Sequence, residues 1–102
     1  MRPPEPAIFN VLVPFDPREA CSLQEAAYRS GKSVSTVRNW CLNRGIGRRV
    51  ADGVWMVSKP ALEMLLDGDD AALAAYHNGD RSSELVRQYF ERGMSLRWPK
   101  VA

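Results

Sequence analysis

Between residues 22 and 68 the chain is cut into short pieces by residues that start and stop helices, and this punctuation limits what it can become. Ser22-Leu23-Gln24-Glu25 is a capping box: the serine hydroxyl accepts from the third helical amide, and the glutamate reaches back to the serine N–H. Leu23, Ala26 and Ala27 then recur at i, i+3 and i+4, one apolar stripe, and Gly31 supplies a C-terminal stop. Ser33 caps a second helix that runs to about Asn43, with Val37, Trp40 and Cys41 on its apolar side and Gly45 closing it. No long helix fits between such signals.

The periodicity then changes. Arg48-Arg49-Val50-Ala51 and Val54-Trp55-Met56-Val57 read as two strands joined by Asp52-Gly53, a strong signal for a two-residue type I′ turn. That turn sets Ala51 opposite Val54, Val50 opposite Trp55 and Arg49 opposite Met56. It places Val50, Trp55 and Val57 inward, and Arg49, Val54 and Met56 outward. Ser58 caps the next helix, with Pro60 in its first turn, a stripe of Leu62, Leu65 and Leu66, and a stop at Gly68. Asp69-Asp70 start another helix that ends near Asn78-Gly79. A last one, capped by Ser82 or Ser83, carries Leu85, Val86, Tyr89 and Phe90 before Gly93.

Five of the seven prolines lie at positions 3, 4, 6, 14 and 17, which forbids a helix there. Ile8–Val13 between them reads as one strand or as an extended arm packed on the core. Three segments are therefore expected: an arm over 1–20, a compact unit over 21–68, and a helical extension over 69–102. The fold class is mainly α with a small β-hairpin.

Charge divides the chain in the same way. Residues 28–59 carry Arg29, Lys32, Arg38, Arg44, Arg48, Arg49 and Lys59 against the single acid Asp52. Residues 60–91 carry only Arg81 and Arg87 against seven acids. A basic middle beside an acidic flank suits a protein with one side facing a polyanion. Enzymatic chemistry is disfavoured, because His77 is the only histidine and forms no nucleophile–base set with Cys21 or Cys41. The cysteines lack metal-ligand spacing, so neither a metal nor a cofactor is expected. Cys21, beside a helix N-terminus, has the placement that lowers a thiol pKa, whereas Cys41 belongs to an apolar stripe. Gly31-Lys32-Ser33 is not the end of a phosphate-binding loop, since position 26 is alanine where that motif requires glycine. With no signal peptide and no membrane-length apolar run, a cytoplasmic protein is expected.

The two capped helices around a glycine turn have the outline of a helix-turn-helix, and the basic hairpin and capped helix that follow complete a winged form. Residues 22–66 resemble the MerR-type and excisionase-type helix-turn-helix family. The resemblance rests on Leu23-x-Glu25-Ala26-Ala27, Gly31-x-Ser33, Thr36-Val37-x-x-Trp40, the arginine-rich hairpin and the leucine-rich helix from Pro60 to Leu66. It departs at Lys32, where the family has an apolar residue, and over residues 43–47, which lack the proline that often leads into the hairpin. It implies a winged helix-turn-helix with extra C-terminal helices, binding double-stranded DNA.

At about 100° per residue, Val37, Trp40 and Cys41 set the buried direction of the second helix. Ser35 and Asn39 point away from it, with Thr36 and Arg38 on the shoulders. Such a helix enters the major groove, where Asn39 suits adenine and Arg38 suits guanine. Lys32, Ser33, Ser35 and Thr36 suit phosphate contacts at the helix start, and Arg48 and Arg49 suit the backbone or minor groove. Leu42 also lies on the outer side, where a thymine methyl, burial against the arm and plain exposure all remain open. Trp55 is expected in the core.

The stripe on the last helix reads either as packing over the winged unit or as a homodimer interface, with side-by-side assembly on DNA as a related arrangement. Three roles share the DNA-facing surface: transcriptional regulation, excisionase-like control of site-specific recombination, and recognition in DNA packaging by a small-terminase-like subunit. A protein-interaction module that kept the winged fold without DNA contacts is the rival from another class. The basic tail Arg97-Trp98-Pro99-Lys100 reads as a frayed terminus or a second DNA arm.

Overall fold

The computed structural model describes residues 10–50 and 53–94, which form five helices and a three-stranded antiparallel sheet. After a 3-10 turn at Pro17–Glu19 come β1 (Ala20–Ser22), α1 (Leu23–Ser30), α2 (Val34–Arg44), β2 (Gly47–Val50), β3 (Val54–Ser58), α3 (Lys59–Asp67), α4 (Asp70–His77) and α5 (Glu84–Gly93). None of these helices is long and apolar enough to cross a membrane.

The helix ends follow the punctuation. Ser22 Oγ accepts from the Glu25 amide at 3.0 Å while Glu25 Oε1 accepts from the Ser22 amide at 3.0 Å, so both halves of the capping box form. Ser33, Ser58 and Asp69 each accept from the amide three residues on. Gly31, Gly45 and Gly68 close α1, α2 and α3 in the left-handed conformation that glycine adopts without a Cβ penalty. The start of α5 differs: Ser83 occupies the cap position without capping, and Asp80 instead accepts from the amides of Ser82 and Ser83.

The sheet corrects two expectations. It has a third strand, β1, which pairs with β3 so that the order is β1-β3-β2. The hairpin register is also one residue away from that of a two-residue turn. Val50 stands opposite Val54, Arg49 opposite Trp55, Arg48 opposite Met56 and Gly47 opposite Val57. The connection therefore has three residues, 51–53, and the Gly53 amide closes it on the Val50 carbonyl at 3.0 Å. Residues 51 and 52 lie outside the described part. Because cross-strand partners share a face, the shift moves Arg49 to the side of Trp55 and Val57, and Val50 to the opposite side. The first of these sides faces α2, since a Cβ added to Gly47 would stand 2.8 Å from Cys41 Sγ.

Residues 10–13 are a turn, not a strand, and their apolar side chains Val11 and Leu12 are buried. The rest of the expected strand, and the basic tail, lie outside the described residues.

One core runs through all three segments. It joins Leu12, Ala26, Val37, Cys41, Ile46, Val57 and Leu62 to Tyr76, Val86 and Tyr89. The stripes on α3 and α5 are rotated from those expected. In α3, Ala61, Leu62 and Met64 are buried while Leu66 is exposed; in α5, Val86 and Tyr89 are buried while Leu85 is exposed. The cause is packing on two sides, because α3 lies against both α4 and α5. The aromatic stripe of α5 thus packs within its own chain: Phe90 meets Tyr76 edge-on with ring centroids 5.3 Å apart.

Polar groups fasten the segments. Glu63, buried in α3, accepts a two-pronged contact from Arg29 of α1 at 2.7 and 3.0 Å, and Arg92 of α5 stands 3.5 Å away. Glu19 and Arg81 form a second ion pair, between the 3-10 turn and the α4–α5 connection.

Candidate nucleic-acid interface

The face of α2 turned away from the core exists because the other face is filled. Val37 is fully buried, Cys41 nearly so, and Trp40 packs partly against the core. With that direction fixed, Ser35, Arg38 and Asn39 are exposed and Thr36 is half-buried. The side chains of Lys32, Arg38 and Asn39 make no hydrogen bond or ion pair among the described residues, so their donors and acceptors are open to solvent.

The start of α2 is more tightly organised. Ser33 Oγ accepts from the Thr36 amide at 3.1 Å and donates to Thr36 Oγ1 at 3.0 Å. Ser33 is committed to holding the helix start, which leaves the Thr36 hydroxyl proton and the exposed Ser35 hydroxyl as donors. The Gly31 and Lys32 amides both return to the Ala27 carbonyl, at 2.9 and 3.2 Å. This closure fixes α2 against α1 and sets Lys32 beside the α2 N-terminus, where the helix dipole is positive.

The two hairpin arginines separate. Arg49 is exposed, and its Nε donates to the Gly53 carbonyl at 3.1 Å, which lays the side chain along the hairpin with both Nη groups available. Arg48 turns to the other side. Its Nε lies 3.1 Å from the Val11 carbonyl and 3.2 Å from that of Leu12, and Nη2 donates to Leu12 at 2.7 Å. The phosphate contact expected of Arg48 does not suit this placement, since its donors already hold the turn at residues 10–13. No local signal could have revealed it, because the partners lie more than 35 residues away.

Between α2 and the hairpin lies an open cleft of about 340 Å³, reached by Leu42 from α2 and by Arg49 and Trp55 from the hairpin. Trp55 is half-buried rather than in the core, and Leu42 is 58% exposed. A signal for Leu42 was present: it follows Ser35 and Asn39 at helical spacing. A second cleft, of about 270 Å³, lies beside Asn43, Arg44 and His77, but Asp70 neutralises its arginine at 3.2 Å. Among the described residues, no carboxylate lines the first cleft.

Both cysteines are buried, Cys41 among the residues that line the first cleft. Burial pushes the Cys21 thiol up to about 12 and the Cys41 thiol up to about 11. For Cys21 this reverses the expectation drawn from its position beside a helix start: desolvation of the thiolate outweighs the helix end. His77 is also shifted. Burial holds it below its ordinary value of 6.5, against the opposing effect of its contact to the Gly45 carbonyl at 3.0 Å.

Comparison with protein-family models, with curated proteins and with solved structures finds no match to this chain.

Proposed function

We propose that this protein is a sequence-specific double-stranded-DNA-binding protein with a winged helix-turn-helix architecture, a binding protein rather than an enzyme. In this reading α2 is the recognition helix in the major groove and the β2–β3 hairpin is the wing, on the backbone or in the adjacent minor groove. One observation carries it: Asn39 on the outward face of α2 and Arg38 on its shoulder, the two side chains best matched to adenine and guanine edges, stand exposed and without partners among the described residues. A merely solvated helix has no need of base-reading groups gathered beside a basic helix start. Lys32, Ser35 and Thr36 supply phosphate contacts there, and Arg49 supplies one from the wing.

The resemblance of residues 22–66 to MerR-type and excisionase-type proteins supports the same reading and suggests a regulator of transcription or of site-specific recombination. Val86 and Tyr89 are buried in their own chain, so assembly of copies side by side on DNA fits better than a dimer built on the α5 stripe.

Selection of bound sites from random duplexes at two salt concentrations tests the proposal. Enrichment of a defined site, with affinity falling steeply as salt rises, is the expected result. Negligible low-salt affinity with no enriched sequence would overturn it. Asn39→Ala and Arg38→Ala should each relax one position of the selected site, with a loss of about 1–3 kcal/mol of discrimination.

A further inference from the structure

We propose that the cleft between α2 and the hairpin seats the sugar–phosphate backbone of one DNA strand, with Leu42 and Trp55 packed against deoxyribose and Arg49 on the phosphate. This rests on the DNA-binding reading and extends it to two apolar residues that base readout does not require.

Three observations converge. The cleft is continuous with the outward face of α2, because Leu42 belongs to both: it lies on the Ser35–Asn39 side of the helix and forms a wall of the cleft. The one-residue shift in hairpin register brings Arg49 beside Trp55 on the side that faces α2. A guanidinium is thereby set at the rim of an apolar slot. The charge suits a polyanion, since Arg49 stands at the rim with both Nη groups available and no acid lines the cleft among the described residues.

The shape distinguishes a backbone segment from a base. Trp55 is half-buried and packed against the core, so too little of it is free to make a stacking platform for a base. An apolar wall opposite a leucine instead suits the C–H surface of a sugar, and a phosphate on either side would reach Arg49. The same walls discriminate sugars. A ribose 2′-hydroxyl placed between Leu42 and Trp55 would lose water without gaining a partner, which disfavours it. The cleft therefore favours DNA over RNA at one nucleotide of the site.

The test measures dissociation constants of the selected duplex across a salt series for the wild type, Leu42→Ala, Trp55→Phe and Arg49→Ala. A second set of duplexes carries single ribonucleotides at successive positions. Leu42→Ala is expected to weaken binding about fivefold to tenfold for every sequence, with the salt dependence unchanged, because only apolar contact is lost. Arg49→Ala should instead lower the salt slope by about one. One ribonucleotide position should weaken the wild type about tenfold or more and Leu42→Ala much less.

If Leu42→Ala binds like the wild type while Arg38→Ala still relaxes sequence preference, the cleft proposal fails and the DNA reading stands. Wild-type protein that binds no duplex at low salt removes both. Should Trp55→Phe unfold, the exposed Leu42 decides the matter. Saturable binding of thymidine monophosphate that Leu42→Ala abolishes, with duplex affinity unaltered, would make the cleft a small-molecule site and overturn the proposal.

Discussion

Arg48 Nη2 donates to the carbonyl oxygen of Leu12 at 2.7 Å, across 36 positions of sequence. The same guanidinium reaches the Val11 carbonyl, while the Leu12 amide donates to the Tyr76 hydroxyl at 3.2 Å. Leu12 is held at a φ of 56°, a left-handed conformation that costs a non-glycine residue roughly 1–2 kcal/mol, so this turn depends on its surroundings. Arg48 is therefore a clamp on the turn, whereas Arg49, its chain neighbour, reaches solvent.

The two arginines should separate in experiment. Arg48→Ala is expected to lower unfolding stability by about 1–3 kcal/mol, because two carbonyls lose a charged donor, while the salt slope of DNA binding stays constant. Arg49→Ala should change stability by about 0.5 kcal/mol or less and lower the slope by about one. Urea denaturation and a salt titration of each variant check this. Equal stabilities for the two variants would count against the clamp.

Glu63 makes a second asymmetric pair of predictions. Its carboxylate is 1% exposed and receives the two-pronged contact from Arg29, with Arg92 at the longer 3.5 Å. Arg29→Ala leaves a buried carboxylate poorly compensated and should cost about 3 kcal/mol. Arg92→Ala leaves the two-pronged contact whole and should cost about 1 kcal/mol, mostly from the exposed contact to Asp67 and the stacking over Tyr89. Denaturant midpoints for the two variants should rank in that order.

The pH dependence follows from His77. Its folded pKa is held below 6.5 by burial, so the unfolded chain binds the proton more readily. Stability should then be at its full value above pH 6.5 and fall as pH is lowered from there through the folded pKa. The carboxylates of Asp16 and Asp80 are held below 3.8 by hydrogen bonds to Arg18 and Ser83, and weaken the fold only at more acid pH. Thermal midpoints between pH 7.5 and 4.5 should decline for the wild type and decline less for His77→Gln. A flat wild-type profile over that range would exclude the His77 assignment.

Thiol reactivity offers a simple check on the interior. Both thiols are raised to about 11 or above by burial, so at pH 8 neither should react appreciably with a disulfide reagent until denaturant is added. Rapid labelling of Cys21 in the native protein would contradict its placement.

Much of the fold could be read before the structure, because its boundaries are set by local chemistry. Ser22 with Glu25, Ser33, Ser58 and Asp69 start helices through contacts spanning three residues, and the glycines at 31, 45 and 68 stop them. The outward face of α2 was legible for the same reason, since helical geometry alone opposes Ser35 and Asn39 to Val37 and Cys41. What failed needed distant information. Ala20-Cys21-Ser22 carries no strand signal of its own and becomes β1 by pairing with β3. The Asp-Gly pair placed the turn, but not the number of residues in it. Leu66 and Leu85 have the right hydrophobicity for a stripe, yet α3 packs on two helices and turns Ala61 and Met64 inward instead. The role of Arg48 depends on carbonyl groups near the other end of the chain.

Among the described residues Tyr76 is the largest fully enclosed side chain, and its hydroxyl meets both the Leu12 amide and the Ser58 hydroxyl at 3.2 Å. It comes from α4, beyond the last residue of the stretch that carries the helix pair and hairpin. That stretch consequently shares its interior with the helix that follows it. On the proposed reading, exchange of the solvent-facing side chains of α2 changes the target at little energetic cost, whereas separating residues 22–68 from α4 removes Tyr76 from the shared interior and destabilises what remains.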